Sequence, residues 1–243
     1  MSRISLITGS NGGIGLAVSE HLLSRGERNL AFHYRTSNSR IKECLERFDL
    51  DPRKHLFKAD LCNEEELGSM RRDIESKLGP VLGLVNIAGS SSNSMSWKTS
   101  LNDFKKTIDD NLTSTFLSCR EFIPGMREAA SGRIINISSI VACTGTAGAA
   151  HYAAAKGGII SFTKSLSLEL APKNITANAI ALGFFEYGII SHLTPEMQSD
   201  VKSRIPLKRF GNGQDIGSYI HFLLSDGAGF TTGQTIHING GLY

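Results

Sequence analysis

Tyr152 and Lys156 stand four residues apart in Tyr152-Ala153-Ala154-Ala155-Lys156, inside an alanine-rich stretch that favours helix, so both side chains project from one helix face. Upstream lie Ser138-Ser139, at the carboxyl end of an apolar run, followed by the small-residue loop Gly145-Thr146-Ala147-Gly148. A phenol, an ammonium and a hydroxyl so placed suit carbonyl reduction by hydride transfer, in which a developing alkoxide needs a proton and hydrogen bonds. A free tyrosine titrates near 10, so a neighbouring ammonium is what brings its phenolate within reach at neutral pH. Lys156 supplies that charge. A hydrolase reading is poor: Ser139 has no adjacent histidine base, the Gly-x-Ser-x-Gly elbow is missing, and His151 lies on a different helix face from Tyr152, which marks it as structural.

Hydride chemistry needs a carrier, and the N-terminal segment offers a place for one. Thr8-Gly9-Ser10-Asn11-Gly12-Gly13-Ile14-Gly15 follows a short apolar run and opens a long amphipathic stretch. Glycines there permit a tight turn and close approach of backbone to a pyrophosphate, while the helix N-terminus supplies amide donors. The ribose of a dinucleotide is read roughly 20 residues past such a loop, by a carboxylate for NAD or a basic group for NADP. That neighbourhood reads Phe32-His33-Tyr34-Arg35-Thr36-Ser37 and holds no carboxylate. Arg35 with the hydroxyls of Thr36 and Ser37 favours NADPH, the alternative being a solvated loop arginine. Asp60 either accepts from an adenine amino group or caps the next turn. Asn86-Ile87-Ala88-Gly89 ends a strand in small residues, as close approach to a cofactor requires. Asn111, in Asp109-Asp110-Asn111-Leu112, reads on composition alone as a surface or helix-distorting residue.

The elements that must position these groups alternate along the whole chain. Short apolar runs predict strands at Ile4 to Thr8, Asn29 to Tyr34, His55 to Lys58, Val81 to Asn86, Gly132 to Ile137, Ile175 to Ile180 and Thr235 to Ile238. Between them run helices. Ile14 to Arg25 carries an apolar stripe and stops at Gly26; Glu64 to Leu78 starts behind the N-cap Asn63, with three glutamates in its first turn, and ends at Gly79-Pro80. No linker, repeat or low-complexity tract interrupts the rhythm, which predicts a single domain over residues 1–243: an α/β, doubly wound Rossmann fold with a seven-stranded parallel sheet. Such sheets bind ligands at the carboxyl ends of their strands, where the strand order reverses.

Composition narrows the class. The chain has 243 residues, 40% apolar and 20% charged, with a net charge of +3, which is too small for a nucleic-acid-binding protein. Cys44, Cys62, Cys119 and Cys143 form no zinc or disulfide pattern and read as reduced, buried thiols of a cytoplasmic protein. The N-terminal Met-Ser-Arg-Ile-Ser lacks the apolar core of a signal peptide, and no apolar stretch reaches the ~20 residues of a membrane span.

Together, Thr8-Gly9-x-x-x-Gly13-Ile14-Gly15, Asp60, Asn86-x-Ala88-Gly89, Asn111, Ser139, Tyr152-x-x-x-Lys156 and Thr232-Gly233-Gln234-Thr235 resemble the short-chain dehydrogenase/reductase superfamily over essentially the whole chain. Arg133-Ile134-Ile135-Asn136-Ile137-Ser138-Ser139 and the ending Asn239-Gly240-Gly241-Leu242-Tyr243 are most similar to the bacterial 3-oxoacyl-[acyl-carrier-protein] reductases. The resemblance implies Tyr152 as general acid, Lys156 as the group that lowers its pKa and binds the nicotinamide ribose, Ser139 as the residue positioning the carbonyl, and Asn111 as the holder of a relay water. It also implies Gly9, Ser10, Asn11, Gly13, Ile14, Gly15, Arg35, Thr36, Asp60, Leu61, Asn86, Ala88, Gly89 and Gly183 as NADP contacts, no metal, a homotetramer, and an acyl carrier protein as partner. The expected product is a (3R)-3-hydroxyacyl thioester of fatty-acid or polyketide/polyene-type biosynthesis. The alternatives are reduction or oxidation of another small carbonyl or alcohol, and an idle dinucleotide binder, whose mark would be loss of Tyr152, Lys156 or Ser139.

Three departures stand out. The family's Pro-Gly after the sixth strand is Leu182-Gly183, and its threonine toward the nicotinamide amide is Tyr187. Gly12 occupies a position where NADP-dependent relatives often carry arginine, which leaves Arg35 to select the phosphate. The basic cluster toward a carrier protein is diluted to Arg127-Glu128-Ala129-Ala130, with Lys173, Lys202, Arg204, Lys208 and Arg209 as further candidates for a basic rim.

Overall fold

The computed structural model describes residues 3–243, apart from the side chains of Ile189 and His192. Met1 and Ser2, and with them the start of the N-terminal reading, lie outside that range. Strands β1 (Ile4–Ile7), β2 (Leu30–Tyr34), β3 (Leu56–Lys58), β4 (Val81–Asn86), β5 (Gly132–Ser139), β6 (Ile175–Leu182) and β7 (Thr235–Ile238) form one sheet in the order β3-β2-β1-β4-β5-β6-β7. Every neighbouring pair is parallel. The order reverses between β1 and β4, so the two chains leaving those strands diverge and open a crevice at the carboxyl edge.

Because side chains alternate along a strand, adjacent residues feed opposite cores. Leu6, Leu84 and Ile134 face one side, against Leu67, Met70, Phe122, Met126 and Leu166; Ile7, Val85 and Ile135 face the other, against Val18, Leu22, Ile41, Ile216 and Ile220. Helices α1 (Gly13–Ser24), α2 (Ser39–Arg47) and, late in the chain, α10 (Gly213–Leu224) thus cover one face. The other is covered by α4 (Glu64–Lys77), α6 (Ser114–Glu128) and α8 (Ala150–Leu170). The remaining helices are α3 (Pro52–His55), α5 (Leu101–Ile108), α7 (Val141–Thr144) and α9 (Pro195–Arg204). This is the expected doubly wound α/β architecture.

The boundaries refine the sequence reading. Asn63 caps α4 as predicted, its side chain accepting from the amides of Glu65 and Glu66. Gly26 and Gly79 take the positive φ that ends α1 and α4, at +87° and +108°. β5 and β6 run two residues beyond the predicted Ile137 and Ile180, because their ladder continues through Ser138 opposite Ala181 and Ser139 opposite Leu182. In β5 the backbone pairing is indifferent to the hydroxyls of Ser138 and Ser139 that end its apolar run, and β6 follows it through Ala181 and Leu182. One expectation is overturned outright: Cys44 and Cys119 are buried, but Cys62 and Cys143 are exposed, since both fall in loops and short helices at the crevice edge rather than in the core. All four are free thiols. Among the described residues no helix is long and apolar enough to cross a membrane, and no cluster of potential metal ligands occurs.

Candidate active site

The carboxyl ends of β1, β2, β4, β5 and β6 border a crevice of about 700 Å³, within the range of small-molecule and cofactor sites. Its floor is the loop between β1 and α1. Thr8 ties that loop to the end of β4, its hydroxyl accepting from the amides of Ile87 and Ala88 at 2.9 and 3.1 Å. Gly9 adopts φ +67°, and a Cβ there would sit 2.9 Å from the Cα of Ala88. A Cβ on Gly15 would meet the Gly9 carbonyl oxygen at 2.2 Å. Only glycine lets the first turn of α1 close this tightly under a ligand. Gly12 caps α1 without any side-chain acceptor, which leaves its first amides directed at the crevice. Gly9, Asn11, Gly13, Ile14 and Gly15 all line it, as do Ala88 and Gly89 opposite.

Two of the expected cofactor contacts are elsewhere. The Ser10 hydroxyl is fully buried and donates back to the Ile7 carbonyl, stabilising the turn from beneath. The Asn86 side chain points into the core, where its amide donates to Asn136 Oδ1 at 2.8 Å and to Cys119 Sγ at 3.3 Å. As the last residue of β4 its side chain follows the strand alternation, so the crevice is met instead by Ile87 and the two small residues after it.

At the far end of the crevice stand Arg35 and Thr36, at the end of β2, with Asp60 and Leu61 after β3. Asp60 takes the capping option, its carboxylate accepting from the Cys62 amide at 2.9 Å. Arg35 donates to Asp110 Oδ1 at 3.1 Å, and Asp110 also receives Lys106 and the Ser90 hydroxyl, each at 2.7 Å on Oδ2. Sequence reading passed over Asp110. Its only signal was the doubled aspartate before Asn111.

The reacting end is built from β4, β5, α8 and a π-helical turn, Asp109–Thr113, that interrupts the helix running from α5 into α6. Such bulges are frequent at functional sites. Asn111 sits in the turn, fully buried, its amide donating to the carbonyls of Ser90 and Thr107 at 2.8 and 2.9 Å. Its Oδ1 is buried without a partner. A Cβ on Gly89 would lie 2.5 Å from that oxygen and 3.5 Å from Lys156 Nζ, so the three residues converge. Asn111 is thus helix-distorting, as composition suggested, but internal rather than on the surface.

Tyr152 and Lys156 do share a face of α8 and both line the crevice, with Ser139 at the end of β5 beside them. Ser138 holds α8 in place, donating to the Lys156 carbonyl at 2.8 Å. Lys156 is 4% exposed; its Nζ donates to the Ile137 carbonyl at 2.9 Å and lies 5.7 Å from the centre of the Tyr152 ring. Burial pulls its pKa down to about 8. Tyr152 moves the other way: burial raises its phenol, while the nearby Ser139 hydroxyl opposes. His151 is buried on another face and contacts Ser92 at 3.0 Å, as a structural residue.

Gly183 closes the crevice where β6 ends, and a Cβ there would strike Asn239 at 2.7 Å. Tyr187 folds over α1, its Cβ within 2.7 Å of where a Gly13 side chain would begin, and its hydroxyl accepts from the Gly213 amide at 3.1 Å. It therefore fastens the segment after β6 to the N-terminus of α10. Of the basic rim candidates, Arg204 pairs with Asp200 and Arg209 with both oxygens of Asp215, whereas Arg127 and Lys173 are exposed.

The family model described as enoyl-(acyl carrier protein) reductase matches residues 9–243. The 3-oxoacyl-[acyl-carrier-protein] reductase FabG of Aquifex aeolicus is 37% identical over 99% of this chain and 97% of its own. The protein of the same name from Staphylococcus epidermidis is 35% identical over the whole of both. Among solved structures, a putative gluconate dehydrogenase from Agrobacterium tumefaciens superposes with a TM-score of 0.91 at 31% identity, covering 99% of this chain and 96% of that one.

Proposed function

The chain belongs to the short-chain dehydrogenase/reductase family and is an oxidoreductase acting on CH–OH/C=O groups, and on that premise we propose that it reduces 3-oxoacyl thioesters, presented on an acyl carrier protein, to the (3R)-3-hydroxyacyl product with NADPH. The convergence of Ser139, Tyr152 and Lys156 at one end of a crevice whose other end holds Arg35 is the observation that carries this reading. The residues fit the dinucleotide: the glycine floor would be filled by any Cβ, the amides opening α1 are free, and Asn111 Oδ1 is an orphaned acceptor beside Lys156.

A bound nicotinamide would supply the hydride for the carbonyl carbon. This chain's part is to manage the oxygen. The Ser139 hydroxyl donates to the carbonyl oxygen and fixes its position, and the Tyr152 phenol gives up its proton as negative charge develops there. A phenol raised by burial is fully protonated at neutral pH, which is the state reduction demands of an acid. The Lys156 ammonium stabilises the phenolate that remains, and Asn111 Oδ1 accepts from a water that returns the proton. Gly183 and Tyr187 line the crevice after β6, with Tyr187 packed against the glycine loop at Gly13; the pathway in this reading is fatty-acid or polyketide/polyene-type biosynthesis.

Arg127 and Lys173 provide exposed positive charge for an acidic carrier. Leu101 and Phe104 on α5, Phe116 on α6 and Leu168 on α8 are exposed apolar side chains on neighbouring helices, which supports a homo-oligomer, in our reading a tetramer. A second reading, oxidation or reduction of a small polyhydroxy acid, draws on the likeness to the Agrobacterium gluconate dehydrogenase. The deciding experiment follows NADPH oxidation with acetoacetyl thioester on acyl carrier protein and on coenzyme A, with NADH in parallel, and in a separate arm the reduction of NADP+ and NAD+ by gluconate. Turnover with the carrier-bound thioester is expected; turnover with gluconate alone would transfer the assignment to the second reading. Tyr152→Phe is expected to retain cofactor binding and lose turnover.

A further inference from the structure

Arg35, the cation assigned to the 2′-phosphate, is already paired with a carboxylate from the other side of the crevice. Asp110 Oδ1 accepts from it at 3.1 Å across 75 residues of sequence, and Asp110 is itself only 10% exposed. Its second oxygen is held by Lys106, one turn earlier, and by the hydroxyl of Ser90 after β4, so the carboxylate cannot swing away freely. Both Arg35 and Asp110 line the crevice; Lys106 does not.

We infer that Asp110 sets how strongly this crevice discriminates between phosphorylated and unphosphorylated dinucleotide, by competing with the 2′-phosphate for Arg35. The inference rests on the cofactor reading above. A phosphate of nearly two negative charges that approaches Arg35 meets a guanidinium already paired with Asp110, in a crevice that the Asp60 carboxylate also lines. A ribose hydroxyl carries no charge and meets no such cost. It also finds in Asp110 an acceptor of the kind that reads NAD. Asp110 thus lowers the preference that Arg35 creates, and Lys106 limits how far it does so. The pair also joins the phosphate end of the crevice to the π turn, since Asp110 directly precedes Asn111.

The test uses two probes that differ only in the phosphate in question, 2′,5′-ADP and 5′-AMP, titrated calorimetrically into the full chain. Asp110→Asn keeps the shape and removes the charge; it is expected to tighten 2′,5′-ADP about tenfold and to leave 5′-AMP within about twofold. With Arg35→Gln also present, that gain is expected to fall below about threefold, because the competition has lost its object. Lys106→Gln, outside the crevice, is expected to weaken 2′,5′-ADP relative to 5′-AMP and serves where Asp110→Asn does not fold. The ratio of kcat/KM for NADPH over NADH should follow the binding ratio. Equal changes for both probes, or a gain undiminished without Arg35, would overturn the role given to Asp110. A wild-type protein that prefers 5′-AMP and is indifferent to Arg35→Gln would instead remove the NADPH reading.

Discussion

His33 Nδ1 lies 3.1 Å from the amide of Gly9, and the same ring's Nε2 lies 3.0 Å from the Ala59 carbonyl. The partners dictate the tautomer: an amide only donates and a carbonyl only accepts, so Nδ1 is bare and Nε2 carries the hydrogen. The imidazole therefore pins the first glycine of the dinucleotide loop to β2 and to the loop after β3, and can do so only while neutral.

Burial pulls His33 down to about 4, with the Ala59 carbonyl opposing and Arg35 assisting. The unfolded chain binds this proton near 6.5 and the folded chain near 4, so the stability is present above 6.5 and is lost as pH falls toward 4. Between pH 7 and 4.5 the loss attributable to His33 is about 2 kcal/mol. Urea denaturation at the two pH values should show it, and His33→Asn should flatten that part of the dependence. An unchanged slope in the variant would assign the loss to other groups.

Lys156 gives a dependence of opposite sense. Its ammonium has a pKa of about 8, and reduction needs it charged beside the Tyr152 phenolate. The reductive kcat/KM is expected to hold below pH 7 and to decline as pH rises through about 8. Lys156→Arg, which stays protonated, should remove that alkaline limb while lowering the plateau, because a guanidinium does not reproduce the bond to the Ile137 carbonyl. A limb that survives in Lys156→Arg belongs to another group.

The contrast between these residues shows what was legible beforehand. Tyr152, Lys156 and Ser139 could be found because helix and strand periodicity alone bring them to one edge. Strand alternation likewise turns Asn86 inward, but the apolar run gave no sign of which face of β4 met the crevice, and small neighbours suggested contact. Arg35 with Asp110, and His33 with Gly9, are pairs 75 and 24 residues apart. They depend on which loops the crossover connections bring together, and no local spacing records that. The π turn was hidden for a related reason: a one-residue widening of a helix leaves the apolar pattern nearly intact.

The inward Asn86 has a measurable consequence. Asn136 Oδ1 accepts from the Asn86 amide at 2.8 Å, and Asn136 Nδ2 donates to Thr163 Oγ1 at 2.9 Å, linking β4, β5 and α8 inside the core. Asn136→Ala strands the Asn86 amide on a weak sulfur acceptor, at a cost of about 2 kcal/mol. Chemical denaturation should register this, and the added replacement Asn86→Ala should cost less in that background than in the wild type. Additive losses would show that the two amides act separately.

Tyr187 replaces a smaller residue of the family pattern, and its hydroxyl has found a different use. The Gly213 amide is among the first of α10, with no partner inside the helix, and Tyr187 satisfies it at 3.1 Å. Burial, with Glu186 adding to it, pushes the phenol up to about 12, so it stays neutral across the working range of pH. Tyr187→Phe keeps the ring against Gly13 and loses only this bond, for an expected cost of about 1 kcal/mol. Tyr187→Thr loses the ring as well; it should cost more and loosen the segment after β6, seen as faster amide exchange from Phe184 to Gly188. If the two variants are equally stable, the ring contributes nothing and the hydroxyl alone fastens the segment.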